Sequence, residues 1–302
     1  MVIAMKVRLQ HIPLIAGNGL TGFDLKIIAC VIMVIDHIGM FIPHMPVEMR
    51  WVGRMAMPVF MFLIGQGMEH TRDRKRYMLR LYLAGVVMSL LQVALQIPNN
   101  IFPTLLQIAI IIDIISKQSN KAKIWRIALY CLWQVVCDAL YYYAIYNTDN
   151  AVLSYYSPVL FALFNFGPFE YGYGFIIMGV LFWLYGKSKL GIALSFSIFT
   201  ISYVLMMNNR YLLNFLLDTV WFDYHSYWYY ITYQMASVVG MHPMVMGRSL
   251  MEYPQWMMIA SLPLLLLYNG RRGAGGGAAK WFFYVFYPVH IAMLFAIGRL
   301  LD

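Results

Sequence analysis

Apolar runs of roughly twenty residues alternate along this chain with short polar connections, a spacing that fits helices crossing a hydrocarbon layer about 30 Å thick. The runs predict spans at 25–42, 52–68, 78–97, 101–116, 125–146, 171–185, 190–207, 255–268 and 281–301. Between Arg210 and Pro254 the pattern fits either two further spans, 211–222 and 227–245, or a folded outer segment holding Asp218, Asp223, His225 and His242. The stretch from Ala151 to Glu170 is aromatic but interrupted by Pro158, Gly167 and Pro168. That predicts an outer loop or a broken half-helix, which lipid tolerates only when it is packed in protein. The expected fold is an all-α polytopic bundle of about 9–11 transmembrane helices, forming a single domain over 1–302.

Composition agrees: 62% of the 302 residues are hydrophobic, 12% are charged and the mean hydropathy is +0.66. The net charge of +9 sits in short loops, chiefly HTRDRKRYMLR (His70 to Arg80), KQSNKAKIWR, GKSK and NGRRGAGGGAAK. Basic loops mark the cytoplasmic side, so the amino terminus is expected inside, and membrane orientation accounts for the charge without any nucleic acid. Residues 1–22 lack an apolar core followed by a cleavage site and read as a cytoplasmic tail or interfacial segment. Cys30, Cys131 and Cys137 match neither a disulfide framework nor a zinc site, and no metal is expected.

The first span carries Asp36 and His37 in its interior, where ionisable side chains are costly and usually functional. At 100° per residue Lys26, His37 and His44 share one stripe, the imidazole lying roughly 16 Å deeper than the cation. An imidazole is the side chain best matched to proton transfer near neutral pH, which makes His37 the candidate base or acyl carrier. Asp36 either orients that ring or pairs with Arg54, near the outer end of the second span, where Pro58 breaks the helix ladder and could open a polar niche. Arg54 in turn either holds Asp36 or stabilises an oxyanion. His290, after Tyr287 and Pro288 in the last span, either lines the same cavity or is a satisfied core histidine. Arg72, Arg74, Lys75, Arg76 and Arg80, with Arg271, Arg272 and Lys280, form two cytoplasmic cationic clusters able to hold phosphates or anionic lipid. Asp113 and Asp138 are further acids inside spans.

Laid end to end, five stretches resemble the TraX family of membrane proteins, whose namesake acetylates the amino terminus of conjugative pilin. They are LTGFDLKIIACVIMVIDHIG (Leu20 to Gly39), GRMAMPVFMFLIGQGMEHTRDRKRYMLRL (Gly53 to Leu81), EYGYGFIIMGVLFWLYG (Glu170 to Gly186), LLYNGRRG (Leu266 to Gly273) and KWFFYVFYPVH (Lys280 to His290). The material from about Asp138 to Asn165 and from Asn208 to Pro254 is longer than in compact members. Lys26 and His37, ten residues between them, are also similar to the basic-x10-His pattern of the wider acyltransferase-3 class, which usually begins with arginine. The resemblance implies a multi-pass protein of the bacterial inner membrane. Acetyl-CoA would be the cytoplasmic acyl donor, and a protein, peptide or cell-surface glycan acceptor would be reached from the other side. On that expectation the candidate catalytic residues are Lys26, Asp36, His37, Arg54 and His290, and the candidates for holding the donor are Arg72, Arg74, Lys75, Arg80, Arg271, Arg272 and Lys280. The class it competes with is a transporter using the same buried groups as a proton or ion relay, although no Gly/Pro-broken helices recur at matching positions in two halves.

Overall fold

The computed structural model describes residues 19–116, 119–148, 151–167, 170, 172–207, 250–251, 254–274 and 277–301. The spans expected at 211–222 and 227–245, with Asp218, Asp223, His225 and His242, lie outside the described residues. Helix occupies each of the other nine expected spans, and the one β-bridge among the described residues joins Leu20 to Tyr268. The elements are α1 (Gly22–Phe41), α2 (Glu48–Gly53), α3 (Ala56–His70), α4 (Arg74–Leu95), α5 (Ile101–Ile115) and α6 (Asn120–Thr148). They continue through α7 (Ala151–Tyr155), α8 (Ser157–Phe164), α9 (Gly172–Tyr185), α10 (Lys189–Met207), a 3₁₀ segment (Pro254–Ser261), α11 (Leu262–Leu266) and α12 (Gly277–Leu301). Four helices, Arg74–Leu95, Asn120–Ile145, Lys189–Met207 and Trp281–Leu301, are long and apolar enough to cross a membrane, and the chain is a multi-pass membrane protein.

Sequence dictates where α1 begins. The Thr21 hydroxyl accepts the Asp24 N–H at 3.3 Å while the Asp24 carboxylate accepts the Thr21 N–H at 2.8 Å, a reciprocal cap. The next free donors, the N–H groups of Gly22 and Phe23, reach the carbonyls of Arg271 and Arg272 at 2.8 and 3.0 Å. The basic 269–274 turn is thereby tied to the inner end of α1.

At the centre stands α3, packed against α1, α5, α9 and the 3₁₀ segment, with Met57, Val59, Met61, Phe62 and Met68 buried. Lipid tails are as apolar as these side chains, so close packing rather than escape from water must hold such a helix. Glycine supplies the closeness: a Cβ on Gly65 would press on the Trp183 backbone of α9, and one on Gly179 would collide with Ile108 of α5. The chain breaks at 54–55, ahead of α3, and Pro58 falls in the first turn of α3. A first-turn N–H has no intrahelical acceptor, so Pro58 does not open the niche that the sequence suggested.

Of the two forms predicted for 151–170, the half-helix is the one adopted. Pro158 opens α8, which ends at Asn165 (φ 54°) and Gly167 (φ 89°), where a Cβ would strike the Phe161 ring. Its final carbonyls lie level with the middle of α5 and α6, beyond the reach of water, and side chains satisfy them. Tyr82 donates to Leu163 (3.0 Å), Trp133 to Phe164 (2.8 Å), and Gln107 and Gln134 both to Asn165 (2.9 Å each). This is a re-entrant half-helix whose end is capped from α4, α5 and α6.

Two outcomes are expected. Trp133→Phe removes only the donor to Phe164 and should destabilise the detergent-solubilised protein by about 1 kcal/mol, the scale of hydrogen bonds between membrane helices, measured by reversible denaturant titration. In a background lacking native cysteines, single cysteines at Arg72, Lys187 and Arg271 should resist a membrane-impermeant thiol reagent applied outside, and cysteines at His44 and Val47 should react. Outside labelling at two of the first three would reverse the orientation.

Candidate functional site

The seam between α1 and α12 brings His37 and His290 together. Along it Phe23 meets Phe283 (6.0 Å between centroids), His37 meets His290 (4.9 Å) and Phe41 meets Phe295 (6.0 Å). His37 is 4% exposed and His290 7%, and their rings are joined by a hydrogen bond of 2.8 Å between His37 Nδ1 and His290 Nε2. Phe286 stacks on His290 at 4.8 Å, and Tyr287 stands edge-on to both histidines.

Hydrogen bonding fixes the two tautomers. His290 Nδ1 lies 2.8 Å from the Phe286 carbonyl, which can only accept, so that nitrogen carries a proton. In the neutral ring Nε2 then holds the lone pair and must accept from His37 Nδ1–H. His37 Nε2 is left holding its lone pair, which accepts a long hydrogen bond from the Asn99 amide nitrogen at 3.5 Å. The result is an oriented base whose second nitrogen is held by a partner, as the chemistry of proton abstraction requires.

Asp36 does not orient that ring. Adjacent helix positions diverge by 100°, and its carboxylate turns away to Arg50 (2.8 Å) and Arg54 (3.6 Å), with Arg50 also donating to the Asp36 carbonyl at 3.1 Å. Arg54 Nε in turn donates to the Arg50 carbonyl at 3.1 Å. Of the two roles open to Asp36 and Arg54, the structure takes the ion pair, with Arg50 as an unforeseen third member. Gly53 makes it possible, because a Cβ there would overlap the Asp36 carboxyl. Breaking such a half-buried pair leaves an uncompensated charge, so the cluster pins the outer end of α1 to the 48–55 turn.

Beside it, at the outer ends of α4, α5 and α8, the Asn100 N–H donates to the Glu170 carboxylate at 2.8 Å. Asn100 Nδ2 is spent on the Gly85 carbonyl and Gln92 Oε1, both at 3.0 Å, which leaves the Asn100 side-chain oxygen buried without a partner, as is that of Asn99. Glu170 is exposed on one side, with the Asn100 N–H on the other. Enclosure pushes its carboxyl up to about 7, with the Asn100 N–H working against that shift. Asn99, Asn100 and Glu170 carried no signal in the sequence beyond lying in outer connections.

Lys26 stands apart from the histidines, half-buried at the inner end of the seam with Nζ 5.2 Å from the Phe283 ring centroid. Among the described residues no carboxylate pairs with Lys26, Arg271 or Arg272, and both arginines are exposed. The other cluster divides. Arg72 and Lys75 are exposed, whereas Arg74 is spent internally on Asp113 (3.6 Å), Ser116 and the Met68 carbonyl (3.0 Å). Arg80 lies over Tyr77 at 5.9 Å with its Nε buried and unpaired. Lys280 falls in α12, but its side chain lies outside the described detail.

No curated protein and no solved structure matches the chain. The family model described as TraX protein matches residues 22–161, which take in α1 with Lys26, Asp36 and His37, the Arg50–Arg54 turn and Asn99–Asn100. Residues 22–161, just under half of the chain, are thus similar to the TraX family.

Proposed function

We propose that the chain is an integral membrane acyltransferase of the bacterial inner membrane. It would move an acetyl group from cytoplasmic acetyl-CoA to an amine or hydroxyl of a protein, peptide or cell-surface glycan reached from the outer side. The observation that carries this reading is the His37–His290 pair, which leaves the unprotonated nitrogen at His37 Nε2 with only a long bond from Asn99. The match of residues 22–161 to the TraX family supports a general role in acetylation.

In the reaction His37 Nε2 takes the proton from the attacking N–H or O–H as that atom bonds to the thioester carbonyl carbon. His290 accepts from Nδ1 throughout and holds the ring. As the carbon–sulfur bond breaks, the imidazolium returns its proton to the departing thiolate, giving free coenzyme A and the acetylated acceptor. The Asn99 amide N–H is the donor nearest the base, suited to the oxyanion that forms in between. Lys26 and Arg272 fit the phosphates of the donor, being cations without carboxylates at the inner end of the same seam. His37 lies eleven positions after Lys26, roughly 16 Å along the helix at 1.5 Å per residue, a span comparable to an extended pantetheine arm.

Mass spectrometry of envelope proteins and surface glycans from cells with and without the gene tests the function, the expected difference being one acetyl group on a specific component. In the same assay His37→Gln should lower acetylation by about 10² to 10⁴ with the protein present at normal level, because the amide cannot take up a proton. His290→Gln should cost only about tenfold, since its side-chain oxygen can still accept from His37. A fully active His37→Gln protein would remove His37 from the chemistry.

Donor binding is separable from the acceptor. Coenzyme A should raise the Tm of the purified chain, and Lys26→Met or Arg272→Ala should shift the concentration needed upward by about tenfold or more. Unchanged protection in both variants would place the phosphates elsewhere.

A further inference from the structure

We propose that a monovalent alkali cation binds between α6 and the membrane-embedded end of α8, held by the Asp138 carboxylate and the side-chain oxygens of Gln134 and Asn165. The inference does not depend on acyl transfer.

Three side-chain oxygen acceptors along this contact lack partners among the described residues. Asp138 sits well inside α6 and half-buried, and no cation or hydrogen-bond donor among the described residues engages it. Transmembrane acids are normally paired. Gln134 is only 6% exposed, and its side-chain oxygen is buried and unsatisfied, as is that of Asn165. The orientation of the Gln134 amide is fixed, because its nitrogen donates to the Asn165 carbonyl at 2.9 Å and the reverse would set two acceptors face to face.

Helix geometry gathers these groups on one side. Gln134 bonds to the end of α8, and the Tyr141 ring packs on Phe161 (4.9 Å) and Phe166 (6.2 Å). At 100° per residue Asp138 lies within about 60° of both and between them along the axis, so it borders the face of α6 that meets α8. Gln134 and Asp138 are four residues apart, hence neighbours on that face.

The donor set chooses the occupant. Carboxylate and amide oxygens suit hard cations and not thiophilic metals. One formal negative charge, with the negative end of the α8 dipole beside it, balances a monovalent ion, whereas a divalent ion would leave a net positive charge in a poorly polarisable interior. Buried half-helix ends with free carbonyl-type oxygens are the kind of place where membrane proteins hold such ions. Here the last α8 backbone carbonyls are already bonded to Tyr82, Trp133, Gln107 and Gln134, so the coordinating oxygens are those of side chains.

The test compares the Tm of the purified full-length chain in sodium, potassium and N-methylglucamine chloride at one ionic strength. Sodium or potassium should raise the Tm saturably over N-methylglucamine. Asp138→Asn should lose that rise while keeping the N-methylglucamine Tm, and Gln134→Leu should raise the half-saturating concentration by about tenfold. Because Gln134→Leu also removes a bond to Asn165, equilibrium binding of radioactive sodium or potassium to wild type and Asp138→Asn gives a reading independent of stability. Equal Tm in all three salts with no ion bound would overturn the site. So would saturable binding unchanged in Asp138→Asn.

Discussion

A hydrogen-bond acceptor inside a bilayer has no water to fall back on, and that single constraint orders the interior of this protein. It decides the tautomers of the two central histidines, because the Phe286 carbonyl can do nothing but accept from His290 Nδ1. From that one bond the rest of the pair follows by elimination, ending at an available lone pair on His37 Nε2. The same rule caps the end of α8: four side chains from three helices are committed to three carbonyls that a soluble protein would leave to solvent. An unmet donor or acceptor costs about 1–3 kcal/mol even in proteins that water can reach. Pairing is therefore the rule of the fold, and exceptions to it, among them the side-chain oxygens of Asn99, Asn100, Gln134 and Asn165, are informative for the same reason.

Charge follows a parallel logic. Asp36 and His37 are adjacent in sequence, yet α1 sends them to different partners, the acid to two arginines on the 48–55 turn and the imidazole to α12. The separation has a consequence for the base. Were the carboxylate beside the ring, it would favour the imidazolium, whereas the neutral His290 orients His37 without placing a full negative charge against it. Anchoring of the helix and orientation of the imidazole are thus divided between neighbouring residues.

Much of this was legible in the sequence, for reasons that are themselves physical. The spans stood out because membrane helices must be apolar along their whole length. His37 stood out because an imidazole at such depth is expensive. The broken helix near Pro158 and Gly167 was visible because those residues have few other uses inside a span. Pairings across helices were not visible: nothing marked Arg50 as the closest partner of Asp36, Glu170 as the acceptor of the Asn100 N–H, or Arg74 as a clamp on Asp113. These depend on where helices lie against one another, which periodicity does not encode. Sequence suggested a niche at Pro58 because a mid-helix proline frees a carbonyl, but the helix restarts at Ala56 and puts the proline in its first turn.

The arrangement also bears on how one seam can serve two sides of a membrane. α1 is tied at its inner end through Gly22 and Phe23 to the Arg271–Arg272 backbone, and at its outer end through Asp36 to Arg50 and Arg54. Held at both ends, it keeps Lys26 and His37 at a fixed separation along the face that meets α12. The cationic end lies at one end of that face, and Asn99, Asn100 and Glu170 lie towards the other, beyond the histidines. Under the proposed acyl transfer, a donor anchored by its phosphates would need only to extend along that face to bring its thioester to His37, with no rearrangement of the helices. The acceptor would come from the opposite end, and the buried histidine pair is where the two approaches would converge.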